Sequence, residues 1–200
     1  MIKKILDGEE IKKILYFVIE DEVGKKKIQT EITSDIRSSQ KYMDIIMSRS
    51  VAKLSSGSNE DSIDDYFHEK LVATLSEALL HFMLTICTLP SERRITLKDD
   101  LVLDVVVPNL QRLKTEPEKS VIIQFIKGND ELSKISRLES VQPNNKNIWL
   151  ISTKPLSLRT KYITYHVLSN SVISNKYSNI IIDIYYFLKQ TGDKSFRFIH

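Results

Sequence analysis

An aspartate inside an apolar run is the residue of this sequence whose type and position best suit chemistry. The segment "DDLVLDVVVPNL" at 99–110 places Asp104 among branched aliphatic residues, and "SVIIQFIKGND" at 120–130 places Gln124 in a second apolar run. A carboxylate buried there without a partner would be strongly destabilising. We therefore expect it to meet a cation, a hydrogen-bond donor, a metal ion, or water at an exposed edge. The amide of Gln124 is one candidate partner.

Strand alternation predicts the surroundings of this carboxylate. One face of the strand would carry Asp104 between Val102 and Val106. The other face would carry the remaining apolar residues of the run, which are Leu101, Leu103, Val105 and Val107. A half-exposed strand, with Asp104 in contact with water or a lysine, is the simpler interpretation. If Asp104 is an unpaired metal ligand, Asp104→Ala should change stability little, whereas a loss above about 3 kcal/mol would indicate a structural buried pair.

Other side chains with chemical potential form weaker patterns. Glu77 and His81 are four residues apart in a predicted helix, so a pair of metal ligands is geometrically possible, although such pairs more often form the solvated back of a helix. The histidines lack zinc-site spacing. The sequence contains neither a phosphate-binding glycine loop nor a G-x-S-x-G motif. Cys87 lies in the apolar segment "HFMLTICTL" and is expected to be a small buried hydrophobe.

Composition bounds the class of protein. A chain of 200 residues that is 42 % hydrophobic and 28 % charged is typical of one soluble domain, or a domain with an appended part. Its one cysteine excludes an intramolecular disulfide and fits a reducing compartment. No apolar run has the length of a membrane span, and "MIKKILDGEE" lacks a signal-peptide core. We therefore predict a cytoplasmic protein without membrane contact. The net charge of +3 permits an acidic partner without requiring one.

The N-terminal part of the chain is expected to be mostly helical. Apolar spacing favours a helix over 30–54, whereas "ILYFVIE" at 14–20 is typical of a strand. The polar segment "SSGSNEDS" at 55–62 predicts a loop. This loop suggests an N-terminal helical extension over 1–55 and an α/β core domain over 56–200, with a single domain as the alternative.

The elements after this loop alternate between helix and strand. Ser62 can cap a long helix that ends at Pro90 and carries an apolar stripe. Strands are predicted at 93–97, 101–108, 120–127 and 147–153, with a helix at 130–141. Further on, 162–168 has strand composition, 179–188 fits either strand or helix, and 196–200 could close a hairpin. Near-continuous apolar strands indicate a sheet covered on both faces. The fold class is therefore α/β or layered α+β, with a central mixed sheet flanked by helices.

The order helix, three strands, helix, strand over residues 62–153 resembles the PD-(D/E)xK nuclease superfamily, which has a restriction-endonuclease-like αβββαβ core. In that family, an Asp on the second strand and an acid on the third bind Mg²⁺. A Lys two residues after the acid helps to orient or activate water, and an acid on the first helix often joins the metal site. Hard cations of this kind require oxygen ligands, preferably charged ones.

Carried onto this sequence, the resemblance implies Asp104, Gln124 and Lys127 as catalytic residues, and Asp104 with Glu77 as Mg²⁺ ligands. Glu69 is the other candidate for the acid of the first helix. Two departures bear on activity. Gln124 is neutral where the family has an acid, and Lys127 follows it by three residues, so alternation turns the lysine away unless a bulge intervenes. The resemblance thus implies a divergent member and leaves open whether it is active.

The same resemblance places the segments after the second strand and after the last core strand near the substrate-facing edge. Basic residues there would contact the phosphates of DNA or RNA. These candidate nucleic-acid-binding residues are Arg112, Lys114, Lys154 and Arg159. Ordinary surface charge is the alternative, because acids such as Glu116 and Glu118 are interleaved with them.

Two functions remain open at this point. The first is a nucleic-acid-binding protein with a nuclease-like core, either an active metal-dependent phosphodiesterase or a degenerate one. The alternative is a non-enzymatic structural or interaction protein, a homo-oligomer whose apolar strands and N-terminal helices make subunit contacts. Cleavage of DNA or RNA that depends on Mg²⁺ or Mn²⁺ and is abolished by Asp104→Ala would separate them.

Overall fold

The structure is a computed structural model that describes residues 8–56, 65–127, 132–154, 156, 161–168 and 175–192. Four predictions fall wholly or mostly outside these residues: the loop at 55–62 beyond Ser56, the Ser62 cap, the phosphate contact of Arg159, and the hairpin strand at 196–200.

The chain begins with helices whose apolar residues recur at helical spacing. Helix α1 spans Gly8–Phe17, and a π-helical segment, Val18–Val23, continues it. Leu15, Val18 and Ile19 are buried, whereas Tyr16 and Phe17 are 51 % and 48 % exposed. This pattern is that of one helix face rather than of a strand. The strand predicted at 14–20 is therefore wrong, because only part of that apolar run faces the core.

Two further helices follow a turn at Gly24, which has a φ of 90°. Helix α2 spans Lys25–Ser34 and helix α3 spans Ser38–Ser56. They confirm the helical periodicity of 30–54 but divide it at Asp35, whose carboxylate accepts the backbone N–H of Arg37 at 3.0 Å. Because α3 runs to Ser56, it includes the first two residues of the predicted loop.

The long helix predicted next is α4, described over Asp65–Ile86. Its buried stripe includes Leu71, Leu75 and Leu79. The helix ends before Pro90, where Thr88 has a φ of 51°. Tyr177 donates its hydroxyl hydrogen to the Ser76 carbonyl at 2.6 Å, joining the C-terminal part of the chain to the middle of α4.

A six-stranded mixed sheet forms the centre of the fold. Strands β1 to β3 pair antiparallel in sequence order, and β3 to β6 continue the sheet in parallel. Their bounds are Glu92–Thr96 for β1, Val102–Val107 for β2, Val121–Ile126 for β3, Ile148–Ser152 for β4, Ile163–His166 for β5 and Asn175–Lys176 for β6. The strands predicted from residues 93 to 153 are confirmed, as is that at 162–168.

Three more helices complete the two outer layers. Helix α5, Leu110–Thr115, begins after Asn109, whose side chain accepts the N–H of Arg112 at 2.8 Å. Helix α6 is Leu132–Leu138, within the helix predicted at 130–141. Helix α7, Ile180–Gln190, resolves the segment left open between strand and helix, because its buried residues recur every three or four positions.

Separate apolar cores cover the two faces of the sheet. One contains residues of α1 to α4 and α7 packed on the sheet through side chains such as Phe125 and Trp149. The other contains Leu113 of α5 and Leu138 of α6, packed on Ile122 and Leu150. The α/β class and the flanking helices are therefore confirmed. Ile11 of α1 belongs to the same core as Leu75 of α4, and the division at residue 55 stays a prediction.

None of the helices in the described part of the chain is long and apolar enough to cross a membrane.

Candidate active site

Asp104 lies where strands β2 and β3 separate. Their backbone register pairs Val107 with Val121 and ends at Val105 with Ile123. Just beyond that point, Oδ2 of Asp104 accepts the backbone N–H of Phe125 and the side-chain Nε2–H of Gln124, both at 2.8 Å. Hydrogen bonds to the Asp104 carboxylate thus join β2 and β3 beyond the point where their backbone pairing ends. Gln124 is the partner of Asp104, and the carboxylate is not simply solvated.

The predicted alternation of β2 breaks at this aspartate. Leu101 and Leu103 belong to the core with α5 and α6, whereas Val105 and Val107 belong to the core with α4. The prediction that these four residues share one face is wrong. The pairing of β1 with β2 leaves Arg94 opposite Asp104, and Arg94 has a φ of 49°. Left-handed backbone at a non-glycine residue is uncommon and locally reorients a strand.

Glu77 of α4 is buried among cations. Its side chain is 3 % exposed, and its Oε2 lies 2.6 Å from Nζ of Lys127. Its Oε1 accepts hydrogen bonds from Nε and Nη2 of Arg94, both at 3.2 Å, and lies 3.7 Å from Nη2 of Arg93. We call Glu77, Arg93, Arg94 and Lys127 the Glu77 cluster. The sequence places Glu77 away from the apolar stripe of its helix, but β1 and the end of β3 cover it.

The electrostatics of the Glu77 cluster favour an ionised carboxylate. Burial raises the pKa of Glu77, but the hydrogen bonds and charges of Lys127 and Arg94 together outweigh this effect. The net pKa lies below the ordinary value of the group. Removal of one member of such a buried ionic cluster is strongly destabilising, because it leaves a buried charge without compensation.

Arg93 lies within electrostatic range of both Glu77 and Asp104. Burial lowers the pKa of its guanidinium, whereas the negative charges of Glu77 and Asp104 raise it. The Nε of Arg93 is buried and makes no hydrogen bond within the described residues. Sequence reasoning identified Arg93 and Arg94 only as a basic pair. An arginine in a strand next to an aspartate-bearing strand was the signal available for this contact.

The structure therefore groups the predicted catalytic and metal residues as two pairs. Asp104 contacts Gln124, and Glu77 contacts Lys127. Lys127 follows Ile126 and points toward α4, in agreement with the expectation that alternation turns it away from Gln124. No bulge in β3 interrupts its described pairing with β4.

These donors do not make up a Mg²⁺ site by themselves. The described residues contain no group of three or more His, Cys, Asp or Glu side chains placed to hold a metal ion. Both oxygens of Glu77 contact cations, and Oδ2 of Asp104 already accepts two hydrogen bonds. Mg²⁺ requires near-octahedral oxygen coordination. His81 belongs to no such group in the described residues, and burial together with the charge of Arg93 lowers its pKa.

Of the predicted phosphate-binding residues, the three that the structure describes lie at opposite ends of the sheet. β2 runs antiparallel to β3, so α5, with Arg112 and Lys114, follows the end of β2 that pairs with the start of β3. Lys154 follows β4 at the other end, near the carboxyl ends of β3 and β4. Asp104, Gln124 and Lys127 lie at the same end of the sheet as Lys154.

The local partners of these basic residues differ. Arg112 forms an ion pair with Glu116 at 3.0 Å, whereas Lys114 is exposed. Lys154 is 66 % exposed and forms an ion pair with Glu69 of α4. The second candidate for the helix acid is therefore engaged by a lysine, as is Glu77.

Restriction endonucleases that were solved in complex with DNA share this arrangement of elements. The complex of restriction endonuclease PspGI with substrate DNA has a TM-score of 0.62 and 11 % identity, covering 95 % of this chain and 98 % of that one. Metal-depleted Ecl18kI with uncleaved, modified DNA has a TM-score of 0.60 and 10 % identity, covering 96 % and 88 %. The chain has the restriction-endonuclease-like fold.

This assignment confirms the αβββαβ order predicted from the resemblance. In the restriction-endonuclease-like core, α4 is the first helix, β1 to β3 the three strands, α6 the second helix and β4 the following strand. Helix α5, inserted between β2 and β3, was not predicted. No protein-family model and no curated protein sequence matches the chain.

Proposed function

We propose that this protein binds DNA at the end of its sheet where Asp104, Gln124, Lys127 and Lys154 lie. One observation carries the proposal: the similarity to endonucleases solved on DNA extends over 95 % of this chain and 98 % of PspGI, so it includes the N-terminal helices as well as the core. Lys154 is the predicted phosphate contact that shares this end with Asp104. Arg112 and Lys114 would reach a different part of the nucleic acid.

We further propose that the nuclease chemistry is weak or lost. Gln124 supplies a neutral amide where a carboxylate would hold a cation, and its Nε2–H is directed at Asp104. Lys127 is bound by Glu77 rather than placed beside Asp104. Any requirement for Mg²⁺ in a residual activity would rest on Asp104, because both oxygens of Glu77 contact cations.

Binding and cleavage of labelled duplex DNA test the two parts of this proposal separately. Fluorescence anisotropy should show salt-sensitive binding, because phosphate contacts release counterions. Incubation with Mg²⁺ or Mn²⁺ should leave the duplex intact or cut it slowly. Rapid cleavage that Asp104→Asn abolishes would contradict a degenerate site. A single-stranded RNA and an RNA duplex of equal length show whether DNA is preferred.

The position of Lys154 gives a sharper comparison within the same assay. Lys154→Gln should weaken binding more than Lys114→Gln, because Lys154 lies at the end of the sheet that carries Asp104. Equal losses for the two variants would instead place DNA across both ends of the sheet. A larger loss for Lys114→Gln would move the interface to α5.

The alternative function, an oligomeric interaction protein, has one observation in its favour. Tyr16 and Phe17 are adjacent on α1, and each residue is about half exposed. Light scattering of the purified protein measures whether it forms a homo-oligomer. A stable dimer without affinity for DNA or RNA would favour this alternative. A cytoplasmic location stays a prediction from the single cysteine.

A further inference from the structure

We propose that Arg93 and Arg94 form a phosphate-binding site beside Glu77 that works without a divalent metal ion. The inference rests on the proposed function only for the source of the phosphate, a DNA backbone. The two arginines would bind the phosphate. Glu77 positions them, and Lys127 neutralises Glu77.

The charges of the Glu77 cluster are unbalanced. Three cationic side chains surround one buried carboxylate, with Lys127 at 2.6 Å from its Oε2 and the two arginines beside its Oε1. Because Lys127 offsets the charge of Glu77 at the closest distance, the arginines retain charge for another anion. Asp104 lies within electrostatic reach of Arg93, but its Oδ2 is occupied by Gln124 and Phe125.

The geometry leaves one arginine without sufficient acceptors. Arg93 has only a 3.7 Å contact to Glu77 among the ion pairs of the described residues, and its buried Nε has no acceptor there. A buried donor without a partner is destabilising, because it has lost its water without gaining another acceptor. Arginine matches phosphate with parallel hydrogen bonds, so a phosphate oxygen would satisfy this donor.

A concave surface gives access to the two guanidinium groups. Arg93, Arg94 and Glu77 line a cavity of about 380 Å³ together with Thr74 and the first turn of α1. Arg94 is 67 % exposed, so part of its guanidinium faces the opening. On the rim, Lys12 forms a 2.6 Å ion pair with Glu9, which adds no net charge. The cavity is therefore open to solvent and carries a net positive charge. It is lined by Arg93, the arginine with too few acceptors among the described residues.

The experiment measures DNA affinity in EDTA for the parent protein and for Arg93→Gln and Arg94→Gln. Arg49→Gln is the matched control, because this arginine lies on α3 and pairs with Glu22. We expect about a tenfold loss for Arg93→Gln, similar for different DNA sequences, with the salt slope reduced by about 1. The control should bind as the parent does. Circular dichroism verifies folding, and the exposed Arg94 provides a second variant if Arg93→Gln is unstable.

A second arm uses inorganic phosphate and separates the site from the proposed function. Phosphate should raise the melting temperature of the parent above that in chloride of equal ionic strength, and Arg93→Gln should lose this difference. If the parent binds no DNA but shows the phosphate effect, the DNA proposal fails and the anion site stands. If the parent binds DNA and both arginine variants match the control, the site is overturned and the DNA proposal stands. Binding that requires Mg²⁺ would overturn the metal-free part.

Discussion

At the scale of single residues, two carboxylates with different partners define the candidate site. Asp104 accepts hydrogen bonds from the backbone N–H of Phe125 and the side-chain amide of Gln124. Glu77 instead pairs with the charged side chains of Lys127 and Arg94. The first pattern satisfies donors exposed by the separation of two strands, and the second neutralises charges. A negative group in each position is thus explained by this chain's own contacts, before any ligand is considered.

Removal of the Asp104 carboxylate should destabilise the protein. Asp104→Ala leaves the amide of Gln124 and the N–H of Phe125 without their acceptor in a buried position, so we expect the free energy of unfolding to fall by about 3 kcal/mol. Urea denaturation measures the change, and Asp104→Asn, which keeps one acceptor, should lose less. A variant as stable as the parent would show that the carboxylate is an unpaired ligand, as one interpretation of the sequence held.

The stability contributed by Glu77 should depend on pH. Its pKa in the folded protein lies below 4.5, so the contribution is fully present above that value and is lost as the pH falls through the lowered pKa. Glu77→Gln should reduce the free energy of unfolding by about 3 kcal/mol at pH 7, the lower end for a buried pair because Arg94 and Lys127 can reach water. Denaturation curves should show the parent and variant converging in acid. A constant difference from pH 7 to pH 3 would contradict ionisation of Glu77.

At the scale of elements, turns decide how the N-terminal helices reach the core. The π-helical segment that extends α1 ends at Val23, and α2 begins at Lys25, so the change of direction falls on Gly24 alone. Its φ of 90° is readily available to glycine and is strained for other residues. The position of α2 beside α3 depends on this single residue.

Replacement of Gly24 should therefore be more damaging than replacement of another glycine. Gly24→Ala has room for the added methyl group, whose nearest neighbour is the Lys27 Cβ at 3.9 Å, so backbone strain is the main effect. We expect a loss of about 1–2 kcal/mol. Gly8→Ala at the start of α1 is the control and should be neutral, since nothing lies within 4 Å of its added Cβ. Equal thermal stability of both variants would mean that the turn tolerates a side chain.

At the scale of the whole molecule, the N-terminal helices and the sheet share one apolar core. Leu15 of α1 is 1 % exposed and lies in the core that also contains Phe125 of β3. Restriction endonucleases solved on DNA match this chain over both parts. The surface that we propose to bind DNA is then built on a scaffold to which the N-terminal helices contribute.

This arrangement makes unfolding a test of the division near residue 55. Leu15→Ala should lower the free energy of unfolding by about 3 kcal/mol, because it leaves a cavity in a packed core. If the chain is one cooperative unit, the variant should still unfold in a single transition, with far-ultraviolet circular dichroism and tryptophan fluorescence of Trp149 coinciding. A first transition that leaves the fluorescence of Trp149 unchanged would indicate a separate N-terminal domain.

Local patterns in the sequence were sufficient to predict the order of the core elements. Long apolar strands and a long amphipathic helix carry their signals locally, so α4, β1 to β4 and α6 could be placed from periodicity, and the resemblance followed from their order. The sequence also identified Asp104 and Gln124 as a candidate pair, because both are polar residues in adjacent apolar runs.

The contacts of these residues, in contrast, depend on how distant segments pack together in the folded chain. The run at 14–20 is a helix because the core accepts only one of its faces. The faces of β2 exchange at Asp104, opposite Arg94, whose φ of 49° departs from strand geometry. The cations around Glu77 come from β1 and the end of β3, which are distant in sequence. Periodicity within a segment cannot predict such contacts, because the charges that face a side chain belong to residues of other segments that pack over it.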